Sequence, residues 1–315
     1  MQKKLSRKPI LVTGVVRSGT TWMGRMIAAA PSVAYIHEPC YPSRRPGLCG
    51  APFEKWYTYV SRDNEQDFYP GMKKTLQFRF NPGGQWHKID SLRAVAGTAK
   101  VYVNFLRYRL FKTTALVKAP MLLFSAPWLA ERFDMRVVLM IRHPAAVASS
   151  LKMLNGAIPV AGILSDISSQ PLLMRDHLYP FEAEIKKLAD PKQGILDQAA
   201  LLWKLVYHVV LKYKEQHPNW IFVRYVDLSR DPLNVFRDVF RQLDLEFGDH
   251  EANQIGWYCA GEGLSNEEIQ NPWSVRRNTA AQLSSWRTRL TKAETERVRS
   301  EVEEIAQHFY TDKDW

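Results

Sequence analysis

The chain is short of cysteine: three in 315 residues, Cys40, Cys49 and Cys259, with no CxxC pair and no recognisable zinc spacing. An odd count without a secretion signal favours free thiols in a reducing compartment over a Cys40–Cys49 disulfide. Long hydrophobic runs are also missing, since none approaches the ~18 apolar residues of a spanning helix. The opening MQKKLSRKP is basic but leads only into a short strand, not a signal-peptide core, so the expected location is the cytoplasm. There are no internal repeats, heptad seams, low-complexity tracts or Gly/Ser linkers, and residues 1–315 are expected to form one domain. No block of five like charges occurs, so the net charge of +11 is spread along the chain. That charge suits anionic partners: a nucleotide, an acidic acceptor, or a peripheral membrane or glycolipid surface.

An apolar fraction of 46% supports a substantial core. Apolar strands alternate with helical patterns at both ends of the chain, which predicts an α/β fold with a mostly parallel sheet flanked by helices. Strands are expected at Ile10–Thr13, Val33–Ile36, Ala115–Ala119, Arg136–Arg142 and Trp220–Tyr225. Helices are expected at Leu122–Arg132, Pro144–Leu154, Leu196–Glu215 and Leu233–Leu243, with a capping box at Thr291 and Glu294 opening the last one. Residues 43–112, basic and aromatic, and the irregular stretch 155–194 interrupt the alternation. Both read as insertions built over the strand ends, where ligands collect in open α/β sheets.

A further absence points to chemistry. Gly14 to Thr21 read GVVRSGTT between a strand and an amphipathic helix, the pattern of a phosphate-binding loop without its lysine. Gly14, Gly19 and Thr21 preserve the spacing that lets backbone N–H groups and a helix N-terminus cradle an anion, while Thr20 stands in the lysine's place. The fixed cation is Arg17, which suggests a different anion and chemistry that needs no metal. A second anchor lies in Arg136–Ser150: Arg142 ends a strand, Pro144 sits in the first helical turn, and Ser150 lies farther along that helix. Arg142 can grip a phosphate and Ser150 can hydrogen-bond it.

With these two segments the chain resembles the sulfotransferases that use 3′-phosphoadenosine 5′-phosphosulfate (PAPS). Arg17-Ser18-Gly19-Thr20-Thr21 matches their first signature, and Arg142, Pro144 and Ser150 match their second. The resemblance runs from about Pro9 to the final helix and is poorest over 43–112. It implies a P-loop-type fold and transfer of a sulfuryl group from PAPS to an acceptor hydroxyl, leaving adenosine 3′,5′-bisphosphate (PAP). It places Arg17, Ser18, Gly19, Thr20, Thr21 and Trp22 at the 5′-phosphosulfate end, and Arg142 and Ser150 on the 3′-phosphate. Arg276 and Arg277 resemble the loop that closes over the nucleotide. Tyr225-Val-Asp-Leu228 resembles the family's strand-exit segment, while His143 stands where the family commonly has Asp.

The resemblance also puts Lys118 near the transferring sulfuryl group. Glu38, in Ile36-His37-Glu38-Pro39, is then the expected general base, with His37 as the alternative. The Glu38-Pro39 pair is similar to carbohydrate sulfotransferases, and no His follows Lys118 as in the phenol and steroid type. Trp56, Tyr57, Tyr59, Phe68, Tyr69, Phe78, Phe80 and Trp86 alternate with Arg44, Arg45, Lys73, Lys74, Arg79 and Lys88, a mixture suited to a sugar chain bearing anionic groups or to a small insert core. The rival within the fold is a nucleotide kinase or ATPase, for which Asp227 is the only magnesium-ligand candidate. No zinc-finger, RNP or helix-turn-helix pattern supports nucleic acid as the partner.

Overall fold

The computed structural model describes residues 8–41, 48–81, 92–260, 271 and 283–315. Five strands form one parallel sheet: β1 (Ile10–Gly14), β2 (Val33–His37), β3 (Thr114–Lys118), β4 (Arg136–Ile141) and β5 (Ile221–Arg224), in the order β2-β3-β1-β4-β5. Each lies within one or two residues of its sequence-predicted place. β1 and β3 are buried along their whole length, as expected of strands covered on both faces.

In chain order the helices are α1 (Thr20–Ile27), α2 (Glu65–Leu76), α3 (Leu92–Leu110), α4 (Ala126–Phe133), α5 (Pro144–Met153), α6 (Val160–Ser168), the single turn α7 (Pro171–Leu173) and α8 (Glu182–Leu188). Then come α9 (Ile195–Gln216), α10 (Tyr225–Arg230), α11 (Pro232–Gln242), α12 (Asp249–Ala260), α13 (Ser285–Arg289) and α14 (Lys292–Ala306). The Thr291–Glu294 capping box is present in both directions. The strands point alternate residues to opposite faces. Ile10, Val12, Leu116, Val138 and Met140 pack under Trp22, Met23 and Met26 of α1 and Phe236 and Phe240 of α11. Leu11, Val117, Val137, Leu139 and Ile141 pack on the other face with α9, α14 and the insertions.

Several expectations are corrected. The helix expected from Leu122 begins at Ala126, after a single 3₁₀ turn at Pro120–Leu122, because Pro127 fits only the first turn of a helix. β5 ends at Arg224 rather than Tyr225, and Tyr225–Leu228 leaves the strand as the first turn of α10. The stretch 43–112 carries α2 and α3, and 155–194 carries α6 to α8, so neither interruption is irregular throughout. The cysteines, by contrast, agree with the thiols the sequence favours: Cys40, Cys49 and Cys259 are buried and form no disulfide.

What this topology does for function lies at one edge of the sheet. β1 is central, with β3 on one side and β4 on the other, and the register sets Val12 beside Lys118 and Gly14 beside Met140. The carboxyl ends of the strands therefore release the Gly14 loop, Glu38, Lys118, Arg142 and Tyr225 along the same rim, where open α/β sheets hold ligands.

Candidate active site

The phosphate loop is shaped by three positive-φ residues: Gly14 (φ 152), Arg17 (φ 68) and Gly19 (φ 93). A Cβ on Gly14 would lie 2.7 Å from the Met140 carbonyl oxygen, and one on Gly19 would lie 2.8 Å from the Tyr225 ring, so both sites require glycine. The loop closes on itself through the Ser18 amide donating to the Val15 carbonyl at 3.1 Å. It is pinned from outside where the Val16 amide donates to the Tyr57 hydroxyl at 2.9 Å.

The two anchors meet directly. Arg17 Nε donates to Ser150 Oγ at 3.0 Å, and the Arg142 guanidinium donates to the Arg17 carbonyl. Arg142 also lies over the Tyr225 ring, 4.6 Å from its centroid, so one tyrosine supports both Gly19 and the second arginine. The backbone of Arg142 is held by α9: Tyr207 Oη accepts from its amide at 2.8 Å, and Trp203 Nε1 donates to its carbonyl at 2.8 Å. Ser18 Oγ and Arg142 Nε are buried without a hydrogen-bond partner among the described residues. Those two polar atoms and the glycine cradle fit an anionic ligand spanning both signatures.

Thr20 is buried and Thr21 half-buried at the start of α1. Trp22 turns into the core, edge-on to Tyr225 and Phe236, and supports the loop from beneath. Arg276 and Arg277 lie outside the described residues, as do Arg44, Arg45, Trp86 and Lys88.

Lys118 and Glu38 form the second half of the site. Lys118 is only 1% exposed, and its ammonium pairs with Glu38 Oε1. Burial lowers the Lys118 pKa; Glu38 opposes the shift, and Arg25 and Arg17 add to it. Backbone ties reinforce the pair: the Glu38 amide donates to the Lys118 carbonyl at 2.8 Å, and Tyr41 N–H closes a turn on the Glu38 carbonyl at 3.2 Å. Glu38 itself has φ 43, a left-handed conformation that a non-glycine residue adopts only when its surroundings hold it there. His37 is exposed, with Nδ1 3.0 Å from the Tyr35 hydroxyl.

Glu38 and His37 line a cavity of about 600 Å³ with Arg25, Tyr35, Tyr41, Asn104, Phe105 and Tyr108. Of the two roles open to the aromatics singled out in the insert, a sugar-binding surface or a small core, those among the described residues take the second. Tyr57, Phe68 and Phe78 are buried, and Trp56, Tyr59, Tyr69 and Phe80 pack against the same core, because α2 and α3 need an apolar interior of their own. The cavity's cation is Arg25, not Lys73, Lys74 or Arg79. Arg142 borders a second cavity of about 120 Å³, with Arg230, Arg287, Lys313, Tyr225 and Asp314.

His143 is 8% exposed, stacked on Trp286 at 5.0 Å and edge-on to Tyr310 and Trp315. Its burial pushes the imidazole pKa down to about 3. Asp227 is gripped by Arg224 through two bonds of 2.7 and 2.8 Å, which gives that carboxylate a structural partner. The described residues contain no group of three or more His, Cys, Asp and Glu that could hold a metal ion.

Tyr57, Trp203 and Tyr207 were not legible as site residues. Each acts through a hydroxyl or indole N–H on a distant loop backbone, a pairing that no local spacing announces.

A model described as "Sulfotransferase family" matches residues 9–249. Human carbohydrate sulfotransferase 2 is 30% identical over 189 residues, covering 55% of this chain and 34% of that protein, so the alignment spans about a third of the relative's length. Among solved structures, the sulfotransferase domain of the Synechococcus PCC 7002 olefin synthase aligns with a TM-score of 0.49 at 18% identity, over 99% of this chain and 98% of that one. Mouse sulfotransferase SULT7A1 complexed with PAP aligns at 0.48 and 12%, over 99% and 92%. With most of its length matched by the family model and both signatures joined at one rim of the sheet, the chain belongs to the sulfotransferase family.

Proposed function

We propose that this protein transfers a sulfuryl group from PAPS to a hydroxyl of a carbohydrate or glycoconjugate. The observation that carries the reading is the direct link between the two anchors, Arg17 to Ser150 and Arg142 to Arg17. It sets Arg17 and Arg142 side by side, with the unpartnered Ser18 Oγ and Arg142 Nε close by, an arrangement that suits a doubly phosphorylated nucleotide. Arg17, the amides from Ser18 to Thr21 and the threonine hydroxyls would hold the 5′ end, with Arg142 and Ser150 on the 3′-phosphate. The bound nucleotide supplies an activated sulfuryl group and a phosphate leaving group. The protein supplies alignment and fixed positive charge aimed where negative charge grows.

Glu38 is the proposed base. Lys118 holds its Oε1, leaving Oε2 for the acceptor hydroxyl in the 600 Å³ cavity, where Glu38 would take the hydroxyl proton. Lys118, charged and desolvated beneath it, keeps the carboxylate oriented. The carbohydrate acceptor is supported by the likeness to human carbohydrate sulfotransferase 2 and by Tyr35, Tyr41 and Tyr108, whose rings and hydroxyls suit sugar faces. The apolar side of the same cavity, Val101 and Phe105, favours a small alcohol, phenol or lipid acceptor as the second reading.

Two measurements test this. PAP should raise the melting temperature well above the shift given by AMP or ATP, since saturation at a hundredfold excess over Kd is worth about 2.7 kcal/mol. Equal shifts for the three nucleotides would remove the 3′-phosphate site. Labelled sulfate from PAPS should then reach members of a panel of glycans, glycolipids and phenols, and labelling of phenols alone would overturn the carbohydrate assignment.

A further inference from the structure

Helix α3 has two apolar faces where a surface helix normally has one. Its inner face, Val101 and Phe105 with Asn104 and Tyr108, packs on the core and lines the acceptor cavity. Its outer face presents Val95, Tyr102, Val103, Leu106 and Leu110 to solvent, and Phe111 follows at its end; Leu110 and Phe111 are 79% and 72% exposed. At about 100° per residue these five helical positions fall within an arc of about 100°, a continuous stripe rather than scattered apolar residues. Exposed Lys100 and Arg107 border the stripe on one side and Arg109 on the other. The segment Leu92–Leu110 contains no Asp or Glu.

We propose that the outer face of α3 seats on an anionic lipid surface. The stripe would enter the boundary between headgroups and acyl chains, while the flanking lysine and arginines reach lipid phosphates and carboxylates. Charge complementarity selects this occupant. Pairing of α3 with α3 of a second copy would bring Lys100, Arg107 and Arg109 against their own kind with no acidic residue on the helix to offset them. No helix among the described residues is long and apolar enough to cross a membrane, so the contact is with a surface. The inner face of α3 then holds the cavity beside Glu38 close to headgroup level, which points to an acceptor carried on a lipid. That last step rests on the acceptor reading above, whereas the lipid contact does not.

The test uses the full chain in co-sedimentation with vesicles of phosphatidylcholine alone and of phosphatidylcholine mixed with phosphatidylserine. The protein is expected to bind the mixed vesicles, to ignore the neutral ones, and to release as salt rises. Because Leu106 and Leu110 are exposed, L106S/L110S should fold normally and weaken vesicle partitioning by about tenfold or more. Charge reversal by K100E/R107E/R109E should erase the preference for phosphatidylserine. Both variants should keep the PAP-dependent rise in melting temperature, which shows an intact nucleotide site. The proposal is overturned by a wild type that binds neither vesicle, or by variants that bind as well as wild type. It is equally overturned by a dimer in light scattering that L106S/L110S dissolves while no vesicle binding occurs. Vesicle binding without any PAP effect would leave the lipid contact standing and remove the sulfotransfer reading instead.

Discussion

Lys118 holds a charged group almost wholly out of water. A lysine at 1% exposure is tolerated where a counter-charge is fixed beside it, and here that is Glu38, itself 23% exposed. Breaking such a pair from one side costs more than the pair is worth, since the remaining charge stays buried. E38Q should therefore lower stability by about 1–3 kcal/mol, less than for a fully buried pair because water reaches Glu38. It should also lower turnover while leaving PAP binding near normal. In E38Q/K118M, part of the lost stability should return while turnover stays low. Thermal melts of both single variants and the double check this, and strict additivity would show that the two residues are not coupled. The candidates Arg17, Glu38, Lys118, Arg142 and Ser150 were legible because each falls at the end of a strand, in the loop just after one, or on the helix that follows. The reach of Arg17 to Ser150 was not legible, since it depends on β1 and β4 being neighbours.

At the scale of elements, the strands were the most readable part of the chain because parallel strands buried on both faces are uninterrupted apolar runs bounded by turns. α3 was not, and its two faces explain why: Val101 and Phe105 point inward while Tyr102, Val103 and Leu106 point outward, which blurs the helical period. α2 was obscured by Pro70 inside it. The loop-to-sheet contact depends on Gly24, where α1 crosses β2 and β3. A Cβ there would lie 2.9 Å from the Tyr35 ring and 3.3 Å from Lys118 Cβ. G24A gains about 0.5–1 kcal/mol of helix preference and incurs about 1–3 kcal/mol of overpacking, so crowding wins. The expected result is a modestly lower denaturation midpoint and a lower kcat, because the crowded neighbours, Tyr35 first and then Lys118, both line the Glu38 side of the site. A midpoint at or above wild type would show that α1 shifts freely, and with it the loop it carries.

Across the whole molecule, the end of β4 is tied to the C-terminal region through one imidazole. His143 follows Arg142 and is enclosed by Trp286, Tyr310 and Trp315, with neither ring nitrogen hydrogen-bonded among the described residues. Arg287 strengthens the same junction by donating to the carbonyls of Asp314 and Trp315 at 3.2 and 2.9 Å. The folded pKa of His143 is pushed from 6.5 to about 3, chiefly by burial. A depressed folded pKa means that the unfolded chain takes up the proton first. The associated stability is fully present above the unfolded value of 6.5 and is lost progressively as pH falls towards the folded value of about 3. His177, His208 and His217 are also lowered by burial and act in the same direction. H143F keeps an aromatic ring among Trp286, Tyr310 and Trp315 and removes two unsatisfied nitrogens, so it should match or exceed wild type at neutral pH. It should then lose about 2 kcal/mol less than wild type between about pH 7 and about pH 5, read from denaturant melts at the two values. Parallel losses in the two proteins would mean that His143 is protonated in the folded state and that the junction beside Arg142 opens to water well above acid pH.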